Sequence, residues 1–316
     1  KGRYDMQIIQ GTTAFEIEGK SAVAIGKFDG IHEGHRLLLS HILKERENGR
    51  RSVVFTFDPP ASVFFGKSGE GQLTTRREKR QIFAELGIDV LVEFPLTAET
   101  AAISPEKFIE EILCGQLHAA YVAAGTDLSF GYRGQGNQEL LQKMADTFGY
   151  EVDIVDKIRK DGREISSSYV REEIEQGHME MAAALLGSAY EVSGVVEEGK
   201  RLGRRLGMPT LNLYPEKDKL LPPRGVYYSM VFWDGREYPG ITNIGHKPTV
   251  NNTSLISVET YLYDFKEDMY GKEIRTALLH FKRPEQRFGS VEELKAQMEK
   301  DIAAGRIYHK LPVQYI

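Results

Sequence analysis

Apolar and polar positions follow two different rhythms along this chain, and the change between them falls near residue 187. In the first half, the short apolar runs SAVAIG (21–26), RSVVFTF (51–57), IDVLVEF (88–94), AAYVAAG (119–125) and EVDIVD (151–156) are too uniformly apolar to leave one face wet. They predict a parallel sheet buried on both faces. Amphipathic segments fall between them, with readable ends. Thr75 and Glu78 form a capping box closed by Gly87, and Ser104 followed by Pro105 opens a helix carrying Phe108, Ile109, Ile112 and Leu113. Strand followed by helix, repeated, predicts a doubly wound, Rossmann-like α/β domain.

From Tyr190 onward, glycines and prolines separate alternating segments such as GVYYSMVFW (225–233), SVETYLYDF (257–265) and EIRTALLHF (273–281). This texture predicts a small antiparallel β-barrel. Ser290 and Glu293 cap a terminal helix with Leu294, Met298 and Ile302 on one face, ended by Gly305. The expected domains are therefore residues 1–187 and 188–316. No internal repeat or low-complexity tract interrupts them.

Composition narrows the class. With 316 residues, 41% of them hydrophobic, and a net charge of −5, the chain is globular and long enough for two cores. Residues 1–187 hold 22 Lys+Arg against 29 Asp+Glu and residues 188–316 hold 19 against 17, so neither half is basic enough to predict a nucleic-acid surface. No run approaches the roughly 18 apolar residues of a membrane span, and KGRYDMQIIQ lacks the apolar centre of a secretory signal. The expectation is a cytoplasmic protein without a membrane partner, starting naturally at Met6 with residues 1–5 as an addition. A single cysteine, Cys114, fits a reducing compartment and reads as a core thiol. His178 and His246 read as surface or loop residues and Trp233 as a packing residue. The oligomeric state is not legible, and a monomer is compatible with the sequence.

The densest chemical signal is AIGKFDGIHEGHRLLL (24–39). A buried strand ends at Gly26, a tight turn containing Phe28 and Asp29 follows, and His32 and His35 arrive as a helical run begins at Arg36. Two imidazoles there add donors to unpaired backbone N–H groups and a positive dipole end, which suits a phosphate whose charge is shifting. Gly26 and Gly34 let the backbone approach a nucleotide. Plain helix capping by the histidines is the alternative, and Gly-x-Phe-Asp-Gly ahead of them counts against it. A zinc site lacks a third ligand nearby.

Two more segments point to the same crevice. GTDLSFGYRGQG (125–136) puts Asp127, Arg133 and a glycine-rich loop at the C-terminal edge of the sheet, where α/β proteins bind ligands. ISSSYVREEIEQG (165–177) leads Ser166 and Ser167 into a helix with Arg171 one turn in. The serines can be N-caps only, or with Arg171 a second phosphate clamp.

In the second half, EEGKRLGRRLGMPTLNL (197–213) spaces Gly199, Gly203 and Gly207 four residues apart among Lys200, Arg201, Arg204 and Arg205. It suggests a basic loop folding over a polyphosphate, without the Gly-Lys-Ser/Thr of a Walker A loop. Pro209 then turns the chain into a strand, leaving the Thr210 hydroxyl and Asn212 amide near a metal-bound phosphate. A solvated basic loop is the alternative. NIGHKPT (243–249), with Asn243, reads as a second rigid loop, and Glu259 lies on a strand whose alternation does not assign it to an inner or outer face.

GKFDGIHEGH and ISSSYVR, in this order and separation, resemble the nucleotidyltransferase module of the bacterial bifunctional riboflavin kinase/FAD synthetase family over residues 8–187. GRRLGMPTLN, NIGHKPT, Glu259 and MYGKEIR (269–275) resemble that family's riboflavin kinase module over residues 188–304. The resemblance implies that His32, His35 and Arg171 hold ATP phosphates during adenylyl transfer to FMN, with Gly26, Phe28, Asp29, Gly34, Ser166 and Ser167 around them. It places Asp127 and Arg133 on the FMN side. It implies that Glu259 is the general base of the kinase, that Thr210 and Asn212 help bind Mg²⁺ with ATP, and that Gly199, Lys200, Gly203, Arg204, Gly207, Pro209 and Asn243 hold its phosphates. Leu128, Ser168 and Leu211 depart mildly from the family pattern, and FDPP (57–60) lacks a histidine at Pro60. The implied chemistry is riboflavin to FMN and FMN to FAD, with ATP and Mg²⁺ and small-molecule substrates only. An HxGH enzyme with another phosphorylated acceptor, or a non-catalytic flavin-binding regulator, are the rivals.

Overall fold

A computed structural model describes residues 6–66, 71–199, 203, 206–248 and 254–312. The described chain forms two compact units, residues 1–167 and 168–316.

The first unit carries a parallel six-stranded sheet of β1 (Gln7–Gln10), β2 (Ser21–Ile25), β3 (Arg51–Asp58), β4 (Val90–Pro95), β5 (Ala119–Gly125) and β6 (Glu151–Val155), in the order β1-β4-β3-β2-β5-β6. The pleat sends alternate residues to opposite faces. Val23, Val53, Phe55, Val92 and Phe94 enter one core with Phe108 and Ile112, while Ala22, Ala24, Val54, Leu91 and Ala123 enter the other with Leu39, Ile42 and Phe83. Each fully buried Val, Leu, Ile or Phe side chain among them contributes roughly 1.5 to 3 kcal/mol. The helices on these faces are α1 (Glu33–Lys44), α3 (Arg76–Leu86) and α5 (Gln138–Phe148), with a four-residue α2 (Ala61–Phe64) after β3. The capping box of α3 and its Gly87 stop are present, and α4 (Pro105–Lys107) is capped by Ser104. Beyond one turn, this helix continues over Phe108–Gln116 with π geometry. A hairpin of β7 (Arg159–Lys160) and β8 (Arg163–Glu164) follows β6.

The edges of this sheet differ from the pattern of the apolar runs. The edge strand β6 is not buried on both faces: Glu151 is exposed and Val152, Asp153 and Ile154 are half-buried, because an edge is covered only in part. At the opposite edge, β1 adds a strand that its four residues, QIIQ, do not announce.

α6 (Ser167–Glu175) starts at the last residue of the first unit, and from Ser168 it and α7 (Met179–Leu186) belong to the second, ahead of the change of texture at residue 187. α7 packs on β9 (Tyr190–Val195) and β14 (Glu273–Pro284), and Glu180 pairs with His280 of β14 at 2.5 Å. With β10 (Thr210–Leu213), β11 (Gly225–Trp233), β12 (Arg236–Pro248) and β13 (Ser254–Leu262), these strands form an antiparallel sheet in the order β10-β13-β12-β11-β14-β9. Its two edges meet where the Glu197 N–H donates to the Asn212 carbonyl at 2.9 Å, so the sheet curls as a barrel. One face holds a buried hydroxyl chain, Ser229, Thr242 and Thr260. The other packs Met208, Val226, Tyr228 and Ile241 against Ile302 and Met298 of α8 (Val291–Tyr308).

NIGHKPT is a strand through Pro248, not a loop. Beyond Ile244 the partner β11 has ended, so β12 is paired on one side only, and the missing N–H of Pro248 need cost no ladder bond. Thr249 lies outside the described residues. Nor does Gly305 end the last helix, which runs on to Tyr308. Gly305 is there because a Cβ would collide with the Tyr263 hydroxyl, which donates to the Ile302 carbonyl at 2.9 Å. Gly305→Ala is expected to destabilise the second unit by about 1 to 3 kcal/mol, as overpacking does. Chemical denaturation should show an earlier midpoint, and an unchanged one would contradict this packing.

Candidate active sites

The strand order reverses between β2 and β5, so the loops after these two strands flank the switch point of the sheet. After β2 the backbone is strained: Phe28, Gly30 and Ile31 have φ of +48°, +84° and +41°. Full burial of the Phe28 and Ile31 side chains holds them there. A Cβ on Gly26 would sit 3.1 Å from the Phe28 ring, so glycine lets the turn close. Asp29 fastens it to the start of α3 by accepting from the Leu73 and Thr74 N–H groups at 2.9 and 3.4 Å, while Gly30 N–H donates to Thr74 Oγ1 at 3.1 Å. Ser167 donates to the Asp29 carbonyl at 2.8 Å, which ties the last residue of the first unit to the same turn, and Ser166 is half-buried just before it. Arg171, four residues further along α6, belongs to the second unit.

His32 caps α1, its Nδ1 accepting from the His35 N–H at 3.4 Å. The two imidazoles stack with centroids 3.8 Å apart, and Gly34 leaves room for the His32 ring, 3.2 Å from where a Cβ would be. His35 also packs on Phe28, and its Nδ1 is shut off from solvent without a partner among the described residues. Burial holds His32 at about 4, although the Asp127 carboxylate opposes the shift. Burial, then His32 and Lys79, hold His35 well below the ordinary histidine range. Both are therefore neutral N–H donors at neutral pH.

This has a stability consequence. An unfolded-chain histidine titrates near 6.5, so between that pH and about 4 the unfolded chain takes up a proton that folded His32 refuses. Stability should fall as pH falls through that window, by up to ~3 kcal/mol for His32 alone at ~1.4 kcal/mol per pK unit. Thermal melts between pH 7 and 4.5 should slope more steeply for the wild type than for His32→Gln. Parallel slopes would show that His32 keeps its proton in the fold.

Beyond β5, Asp127 is exposed and paired with Lys157 at 3.4 Å, yet close enough for its charge to act on His32. Arg133 lies exposed over the Tyr132 ring, 5.1 Å from its centroid, and no contact joins it to the imidazole pair among the described residues. Lys79, buried beside this site, escaped sequence reading because a lysine in the first turns of a charged helix looks solvated. Its one signal is the four-residue spacing to the buried Phe83 on the same face of α3.

In the second unit, register settles what alternation could not. Glu259 lies directly across from Asn212 on one side and Asn243 on the other, so the three share one face. Thr210 shares that face two residues from Asn212. Glu259 is half-buried and accepts from Ser257 Oγ at 3.2 Å. The buried Asn212 amide donates to the Thr210 carbonyl at 3.2 Å. A Cβ on Gly199 would meet that amide at 2.6 Å, and one on Gly203 would lie 3.5 Å from Thr210 Oγ1. Two glycines of the basic loop thus press on these two side chains. Gly207, with φ +80°, and exposed Pro209 lead into β10. Lys200 and Arg204 lie outside the described residues.

Of the remaining residues, half-buried Cys114 packs against a core and burial pushes its thiol up to about 11. His178 and His246 are exposed, and Trp233 is half-buried against Tyr238.

Residues 14–169 match the FAD synthetase family and residues 186–309 the riboflavin kinase family. A Listeria monocytogenes protein named bifunctional riboflavin kinase/FMN adenylyltransferase is 36% identical over 282 residues, covering 88% of this chain and 89% of its own. Its namesake from Escherichia coli K12 is 35% identical over 292 residues, covering 92% and 93%. Among solved structures, one titled macrolide-efflux protein from Streptococcus pneumoniae superposes with a TM-score of 0.84 at 26% identity, covering 95% of this chain and 98% of that one. Among the described residues here, no helix is long and apolar enough to cross a membrane. The identity, extending through both halves, places the chain in the bifunctional riboflavin kinase/FMN adenylyltransferase family.

Proposed function

We propose that the chain carries out two consecutive ATP-dependent transfers on small molecules in the cytoplasm. Riboflavin and ATP give FMN and ADP in residues 188–316, and FMN and ATP give FAD and pyrophosphate in residues 1–187. The observation that carries this reading is that one chain holds both a stacked imidazole pair at the switch point of a parallel sheet and an Asn-Glu-Asn row on an antiparallel one.

In the kinase, Glu259 accepts the proton of the ribityl 5′-hydroxyl, and the basic loop with Gly199, Lys200, Gly203, Arg204, Gly207 and Pro209 folds over the phosphates beside Asn243. Thr210 and Asn212 are the candidate Mg²⁺ holders. An all-oxygen set of hydroxyl, amide and neighbouring carboxylate fits that ion, which is commonly shared with substrate phosphates, and no group of three His, Cys, Asp or Glu among the described residues forms a cage of its own. Bound Mg²⁺ supplies charge neutralisation at phosphate oxygens. In the adenylyl transfer the nucleophile is an anionic phosphate and needs no strong base. His32, His35 and Arg171 position and stabilise the α-phosphate, and Asp127 and Arg133 face FMN.

Incubating the purified chain with riboflavin and Mg-ATP and separating the flavins tests this reading. FMN followed by FAD is expected. FMN alone would point to another acceptor in the first unit, and unchanged riboflavin to a non-catalytic regulator.

A further inference from the structure

The Lys79 residue is 9% exposed, and its ammonium makes no hydrogen bond and no ion pair within 4 Å among the described residues. The carboxylates that act on it, Asp29, Glu93 and Asp58, have other partners. Glu93 is gripped by Arg76 and Arg80, Asp58 pairs with Arg76 at 2.9 Å, and Asp29 Oδ1 takes the Leu73 and Thr74 N–H groups. An ammonium on a stem this deeply buried, with no carboxylate closing on it, keeps its donors open to an arriving anion. It is also held firmly. The α3 capping box fixes the turn that carries it, and the Asp29 and Gly30 hydrogen bonds fasten that turn to the His32 loop. Its charge acts on His35.

We propose that Lys79 is a phosphate-binding residue of the adenylyl-transfer site, where its ammonium supplies a fixed positive charge to the polyphosphate of ATP beside His35. This rests on the reading of the first unit as an ATP-using site. It divides the labour within that site: the imidazoles contribute oriented N–H donors without charge, and Lys79 contributes charge. A lysine suits the task because its ammonium meets phosphate as a point charge and needs no planar fork.

The test is steady-state kinetics of the full chain carrying Lys79→Met, with its own riboflavin kinase activity as the internal control of folding. The KM for ATP in FAD formation should rise tenfold or more, with the KM for FMN and both kinase constants unchanged. The KM for pyrophosphate in the reverse reaction should rise in parallel. The melting temperature should hold, since methionine keeps the buried stem and no hydrogen bond or ion pair of the ammonium is lost. Lys79→Gln gives the same reading should the methionine variant fail to fold, and Lys79→Arg should recover part of the ATP affinity. A lowered melting temperature with an unchanged KM for ATP would mark Lys79 as structural and overturn the proposal. Should the wild type make no FAD, the reading of the first unit fails; should wild type and variant make it alike, only the role of Lys79 does.

Discussion

Glu259→Gln is expected to lower FMN formation about 10² to 10⁴-fold while FAD formation from supplied FMN continues at the wild-type rate. The substitution keeps the side chain's length and one amide oxygen to accept from Ser257 Oγ, and it leaves the register with Asn212 and Asn243 intact. What it removes is the basic oxygen. A loss of that size is about 3 to 5 kcal/mol of transition-state stabilisation, more than a half-exposed surface hydrogen bond supplies. Because the proton moves only in the transition state, the loss should appear in kcat, with little change in the KM for riboflavin. Near-normal turnover in a folded Glu259→Gln would reduce the residue to a strand position between two amides and leave the kinase without a base.

The two halves were legible in the sequence for different reasons. Runs such as AAYVAAG announce buried parallel strands because both faces are apolar, and β5 spans those seven residues. The edges escaped. QIIQ is too short and too polar to read as a strand, and EVDIVD was apolar enough to suggest full burial that its edge position denies it. Local rules also misread NIGHKPT and Gly305, because what decides each is a distant partner: the early end of β11 for Pro248, and the Tyr263 hydroxyl for Gly305. The chemical sites show the same division. His32 and His35 lie three residues apart on one turn, so spacing predicts their meeting. Glu259, Asn212 and Asn243 come from three strands, and only the register of β10, β13 and β12 puts them in one row. Lys79 was invisible, since its burial depends on sheet and helix closing over it from elsewhere in the chain.

For the imidazole pair, removing His32 is expected to lower FAD formation by ~10² to 10³, the typical loss of one preorganised donor, with FMN formation preserved. The competing explanation is structural, because His32 is also the N-cap of α1. His32→Asn separates the two. Asparagine is among the best N-caps, so α1 should stay intact, yet its short amide cannot reach where the imidazole Nε2 does. In His32 the Nδ1 accepts from His35 N–H, which leaves the ring proton on Nε2 and makes that atom the donor. His32→Asn should therefore melt like the wild type and fail at adenylyl transfer as severely as His32→Ala. Arg171→Ala should show the same split between the two activities. The pH profile adds a second reading: with His32 held at about 4, the wild-type FAD rate should show no acid limb centred near 6.5. Full FAD-forming activity in His32→Asn would make the histidine a cap and nothing more, and an acid limb at 6.5 abolished by that substitution would mean that His32 takes up its proton at the ordinary pH and is not held low by burial.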